Sequence, residues 1–150
     1  MESAVMKVYI HSPIERVWEL ISNHEGYPEV FEGVTSCKLL KEGKDDRNGV
    51  GATREVLIGR VRFVENIVVF DPPRRLEYRV IECSVPLDHE LGRIDLIPRG
   101  EGTELHWVTT FHVAVPLIGG LLDPLFRLIT RDRFYEGLLE LKEKLEAEQT

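Results

Sequence analysis

From about Val34 to Val115 the chain is an unbroken succession of strand-like segments divided by short turns, and helical spacing takes over only after Pro116. With no helix between them, these strands have no crossover connection and must pair as antiparallel neighbours in one meandering sheet. The helix that follows is long and has to be buried against something. A sheet covers such a helix only by curling round it, and the curl leaves a hollow between the two. Function is sought in that hollow.

Ahead of the sheet, Ala4, Met6, Val8 and Ile10 alternate with Val5, Lys7 and Tyr9, as a first strand would. Ser12-Pro13-Ile14-Glu15 reads as a capping box with Pro at N1, and Ile14, Val17, Trp18 and Ile21 follow at helical spacing, which predicts a helix over 13–22. Gly26, Pro28 and Gly33 leave space for at most one further short helical turn in 23–33. Strands are predicted over 34–42, 50–58, 60–71, 75–84, 87–97 and 103–115, with turn signals at 43–49, Gly59, Asp71-Pro72-Pro73, Val85-Pro86 and 99–102. Leu121, Leu125, Leu128, Phe134, Leu138, Leu141 and Leu145 then mark a helix ending near 147. It starts near 118, or near 124 if Asp123 caps it and Pro124 takes N1. Gly137 costs that helix about 1 kcal/mol relative to Ala, which suggests close approach to the sheet or space in a cavity. The expected architecture is α+β, with about seven antiparallel strands curved around the C-terminal helix and one or two short helices after strand 1. One domain over 1–150 is expected.

The formal charge of −7 argues against a nucleic-acid backbone as the main partner, because phosphate binding needs a concentrated basic face. The basic clusters, Arg74-Arg75 and Arg127 with Arg131 and Arg133, are local. MESAVMKVYI lacks the basic start and apolar core of a signal peptide, and no stretch nears the ~20 apolar residues of a membrane span. Cys37 and Cys83 lie in strand-like runs and read as small hydrophobes, so a reducing, cytoplasmic setting is expected.

Register decides which polar groups face inward. A tight hairpin about Gly59 sets Arg54 opposite Glu65, on a face shared with Ala52, Val56, Ile58, Val61, Phe63 and Ile67. Later turns add Leu76, Tyr78 and Val80, then Gly92, Ile94 and Leu96, then Trp107, Thr109, Phe111 and Val113. Trp107 then neighbours Ile94, and Thr109 lies beside Gly92, where the missing side chain leaves room. Arg62, Asn66, Arg79, Arg93, His106 and His112 take the solvated face.

Arg54 and Glu65 are the sharpest candidates, either orienting a ligand's carbonyl or hydroxyl or forming a purely structural ion pair. Tyr78, Trp107, Phe63 and Phe111 either line an apolar pocket with two polar handles or fill a core. Leu125 and Phe134 face the same space from the helix. Tyr27 and Phe31, on a Gly/Pro-bounded segment, suit a lid or a plug. At Pro86–Glu90, strict alternation points Glu90 inward and His89 outward, and a bulge would swap them. Either could serve as acid or base at the rim. His106 and His112 are about 20 Å apart along one strand, too far to share an ion, so neither metal nor cofactor is expected. No P-loop, GxGxxG or nucleophile–His spacing is present.

The stretches SPIERVWELISNHEGYPEVFEGV, GVGATREV, VENIVVFDPPRRLEYRV, GRIDLIPRGEGTELHW and VPLIGGLLDPLFRLI together resemble the START-like, Bet v 1-type helix-grip superfamily (SRPBCC). Within it they are most similar to the polyketide cyclase/dehydrase and coenzyme-Q-binding group. The resemblance implies a curved sheet gripping the C-terminal helix around a hydrophobic cavity, with Arg54 and Glu65 facing it. It implies a carrier of a lipid, quinone or polyketide-like aromatic. A cyclase or dehydratase using Arg54, Glu65 or His89 for proton transfer is the alternative, and a macromolecular interaction protein, hinted at by Arg127, Arg131 and Arg133, is a third. A homodimer is compatible with any of these.

Overall fold

The chain builds, in order, β1 (Glu2–Ile10), α1 (Ile14–Ser22), a 3-10 turn (His24–Gly26), α2 (Tyr27–Val30), β2 (Val34–Lys41), β3 (Thr53–Ile58), β4 (Val61–Asp71), β5 (Arg75–Cys83), β6 (Leu87–Arg99), β7 (Gly102–Val113) and α3 (Gly119–Ala147). These elements come from a computed structural model that describes residues 2–149. All neighbouring strands are antiparallel, in the order β1-β7-β6-β5-β4-β3-β2, so β1 closes against the last strand. The predicted α+β helix-grip architecture is the one observed: seven strands curve about a 29-residue helix. Among the described residues no helix is long and apolar enough to cross a membrane.

Met6, Ile10, Leu105 and Phe111 of the sheet meet Leu138, Leu141 and Leu145 of α3, with Val17, Trp18 and Ile21 of α1 closing one end. Each fully buried aliphatic side chain contributes roughly 1.5–3 kcal/mol, so this seam dominates the stability of the helix on the sheet. The outer face carries cross-strand ion pairs instead. Arg93 meets Glu77 at 3.0 Å, Arg75 meets Asp95 at 2.6 Å and Arg62 meets Glu55 at 2.7 Å.

One helix start differs from expectation in its cap. The Ser12 hydroxyl is buried and makes no capping bond, and Pro13 is the residue preceding the helix, its carbonyl accepting from Arg16 and Val17. The Ser12 carbonyl is taken by the Thr103 hydroxyl at 2.8 Å, which draws the residue into the core and away from the helix end. α3 begins at Gly119, the earlier of its two expected starts, and runs through Pro124. A Cβ on Gly119 would lie 2.2 Å from the Val113 carbonyl oxygen, so only glycine lets α3 start this close to the end of β7. Asp123 is no cap: its carboxylate accepts from the Val113 N–H at 2.7 Å and meets His112 Nδ1 at 2.8 Å, clasping helix to strand. Those two bonds hold its pKa down to about 2.

Candidate functional site

Gly59, with φ of 61°, turns the β3–β4 hairpin and sets Arg54 opposite Glu65. Arg54 Nε donates to Glu65 Oε1 at 2.7 Å, and the two residues are 3 and 8 % exposed. The guanidinium lies between two aromatic faces, 5.3 Å from the ring centroids of both Tyr27 and Tyr78. Burial works against its charge, but the Glu65 carboxylate more than offsets this and keeps the Arg54 pKa above its ordinary value. A buried cation needs such an arrangement, since it is stable only where paired. Tyr27 is fixed in turn: its hydroxyl donates to the Ile21 carbonyl at 2.5 Å and accepts from Arg54 Nη1 at 3.4 Å.

Tyr78 is the hub. It pairs with Gly92 across β5 and β6, and its ring fills the space over that glycine. The room expected beside Thr109 is therefore occupied. Trp107 Nε1 donates to the Tyr78 hydroxyl at 3.1 Å, and Trp107 neighbours Ile94 as predicted. His89 stacks on Tyr78, with centroids 5.5 Å apart and planes at 10°.

A bulge between His89 and Leu91 carries the His89 side chain inward, leaving it 9 % exposed, while Glu90 faces solvent. Glu90 is thus corrected from an inward to an outward residue: the extra residue reverses strand parity there. The β5–β6 ladder stops at Tyr78 and Gly92, and the imidazole occupies the opening beyond. Its Nδ1 accepts from the Val80 N–H at 3.1 Å, so the proton of the neutral ring sits on Nε2 and donates to Thr109 Oγ1 at 2.9 Å. Burial, aided by the charge of Arg79, lowers the His89 pKa to about 4 and keeps the ring neutral.

Two hydroxyl hydrogens follow from these donors. The oxygens of Tyr78 and Thr109 both accept, from Trp107 and His89, and neither hydroxyl has an acceptor for its own proton among the described residues. The Tyr78 phenol keeps that proton, since burial raises its pKa.

On the α3 side Phe134 stacks on Trp107, with centroids 4.5 Å apart and planes at 4°, and Phe126 meets Phe111 edge-on at 5.0 Å. Leu125 does not face this space and is 58 % exposed. It is nine residues from Phe134, which at about 100° per residue puts the two on opposite faces. Phe126, one residue on, takes the inward place. Phe63 belongs to a satellite cluster with Tyr27, Cys37 and Val56, where burial pushes the Cys37 thiol up to about 11. Phe31 packs edge-on against Tyr27 at 5.3 Å and rests by Gly137, where an added Cβ would meet it at 3.4 Å, an ordinary contact. Gly137 is not required for close approach.

One buried group had no signal in the sequence. His24 is fully buried edge-on to Tyr27, at 5.6 Å, and both its ring nitrogens lack partners among the described residues. Burial, then the charge of Arg54, lowers its pKa to about 2. Outside, where β5 and β6 part, a cleft of about 340 Å³ is lined by Arg79, Val80, Cys83, Leu87, Asp88 and His89, so the imidazole stands between this cleft and Tyr78.

Solved structures with this arrangement of strands and helix are numerous. That of TTHA0849 from Thermus thermophilus superposes with a TM-score of 0.80 at 24 % identity, over 99 % of this chain and 100 % of that one. A START superfamily protein from Mycobacterium smegmatis gives 0.79 at 15 % identity, over 97 % of each chain. XoxI from Bacillus cereus gives 0.76 at 19 % identity, over 100 % of this chain and 99 % of that one. At such identities these likenesses establish the fold alone. No match is found among curated proteins. The sequence profile described as polyketide cyclase / dehydrase and lipid transport matches residues 1–146, nearly the whole chain, and the protein belongs to that family.

Proposed function

We propose that this protein binds a small hydrophobic molecule carrying an acceptor oxygen, such as a lipid, quinone or polyketide-like aromatic, between the concave face of the sheet and α3. The observation that carries the reading is the pair of unclaimed hydroxyl protons on Tyr78 and Thr109, set among Trp107, Phe111, Phe126 and Phe134. An apolar wall rewards burial of the ligand body, and the two donors orient a carbonyl or similar oxygen. Arg54 and Glu65 act one step back, holding the ring of Tyr78.

Binding is favoured over the cyclase or dehydratase alternative by how the candidate bases are engaged. The His89 lone pair is committed to the Val80 N–H, and Glu65 is held by Arg54. General-base work needs a free lone pair within reach of the substrate.

Native mass spectrometry of the purified protein, with titration of a quinone, fatty-acid and aromatic-ketone panel followed by Trp107 fluorescence, tests the reading. Tyr78→Phe and Thr109→Val should each weaken carbonyl ligands by roughly two- to tenfold, the range of one hydrogen bond, and leave hydrocarbons unaffected. If nothing copurifies, no panel member binds, and neither variant alters any affinity, the reading is wrong.

A further inference from the structure

We propose that the first half of α3, with the turn before it, docks on an anionic lipid bilayer. Leu117, Ile118, Leu121, Leu125, Leu128 and Ile129 are 101, 48, 79, 58, 51 and 49 % exposed. Single exposed aliphatic groups are ordinary on a protein surface, but six large ones within thirteen residues make a continuous patch of the kind that marks an interaction site. Leu117 has a φ of 72°, a left-handed conformation that costs a non-glycine residue about 1 kcal/mol or more, and this backbone holds its side chain fully in solvent.

Charge indicates what covers the patch. Between Ala114 and Arg131 the only carboxylate is Asp123, which is buried and bonded to Val113 and His112. In a chain of net charge −7, this stretch exposes no acid of its own. Arg131 and Arg133 are exposed, and on a helix of 3.6 residues per turn they lie roughly 120° to one side and 80° to the other of the mean direction of Leu121, Leu125 and Ile129, with Asp132 exposed between them. That is the cross-section of an interfacial helix, with apolar groups below the headgroups and guanidinium groups reaching sideways to phosphates. Arg127 lies on the opposite side of the helix, toward β1, where it meets Glu2 at 3.6 Å, and takes no part in this face. The acids nearest the patch are Asp88, which lines a shallow hollow with Leu117 and Gly119, and Asp132 and Glu136, which end it toward the C-terminus.

Docking complements the ligand-binding reading, by bringing the helix over the site to a source of apolar molecules, yet its test is separate and requires no ligand. The full chain is sedimented with vesicles of phosphatidylcholine alone and of phosphatidylcholine mixed with phosphatidylglycerol. Binding to the mixed vesicles, falling as salt rises, is expected. Arg131→Gln combined with Arg133→Gln should weaken it roughly 25-fold, at about fivefold per cation near the surface. Leu121→Ser with Leu125→Ser should abolish it without moving the melting temperature, since both side chains face solvent. Binding to neither vesicle, or undiminished binding by the leucine variant, overturns the proposal. So does a solution dimer that the leucine variant dissociates, which would make the face a self-interface. The arginine pair keeps the test decisive if the leucine variant misfolds.

Discussion

Gly92→Ala places a methyl group where the ring of Tyr78 already lies. The added Cβ would be 2.2 Å from Tyr78 Cζ and 2.5 Å from both Cε atoms, well inside contact distance. The ring cannot yield cheaply. It accepts from Trp107 at 3.1 Å, stacks on His89 at 5.5 Å and faces Arg54 at 5.3 Å. Overpacking of this kind costs roughly 1–3 kcal/mol if the ring stays. If it swings away, the loss is one hydrogen bond, about 1 kcal/mol, and one desolvated cation–π contact, about 1–2 kcal/mol. Replacing a strand glycine returns roughly 0.5–1 kcal/mol of backbone entropy, so the net loss is about 1–2 kcal/mol. For a chain of 150 residues that lowers the melting temperature by roughly 2–8 °C. Circular-dichroism melts measure it, and the indole N–H resonance of Trp107, assigned through Trp107→Phe, reports whether the bond to Tyr78 is lost. Gly92→Ala combined with Tyr78→Leu should recover more than 1 kcal/mol relative to the sum of the single changes. A Gly92→Ala protein melting within about 1 °C of the parent, with the indole resonance unmoved, refutes the reasoning.

Other substitutions separate the remaining contributions. Arg54→Met strands a buried carboxylate and should cost about 3–5 kcal/mol in urea unfolding, whereas Arg54→Met with Glu65→Leu should recover most of it; equal losses would mean the pair does not interact. His89 is neutral with a pKa near 4 when folded and near 6.5 when unfolded, so the unfolded chain takes up the proton first as pH falls. Its contribution to stability is complete above about pH 6.5 and drops by roughly 3 kcal/mol on the way to pH 4. His89→Gln should flatten the pH profile across that window, and parallel profiles would exclude the assignment. Gly137→Ala adds a methyl group at ordinary contact distance from Phe31 in a helix interior, and should stabilise by up to about 1 kcal/mol, seen as a melting temperature higher by roughly 2–4 °C.

Much of the fold was legible because strand periodicity is two and the hairpins are tight. Parity carried from Gly59 was enough to place Arg54 on Glu65, and later turns placed Trp107 by Ile94 and Thr109 by Gly92. Parity fails wherever an extra residue enters a ladder, and the bulge at His89 is such a place: no local signal tells Asp88-His89-Glu90 from an unbulged run. The phase of α3 was hidden for a different reason. Its first half is apolar on both faces, so Leu121, Leu125 and Leu128 read as core until the positions of Phe126, Phe134 and Leu138 against the sheet turn them outward. The capping pattern at Ser12 was overridden when Thr103, ninety-one residues away, claimed its carbonyl.

What the sequence determined alone is therefore local or periodic: the element order, the strand faces and the hairpin that joins Arg54 to Glu65. Tertiary structure decided what depends on distant partners. It inserted His89 between parted strands, seated Tyr78 over Gly92 and turned an apolar stripe of α3 to solvent. Alternation and turn chemistry act over a few residues, whereas bulge placement and helix phase are set by packing that only the assembled sheet supplies.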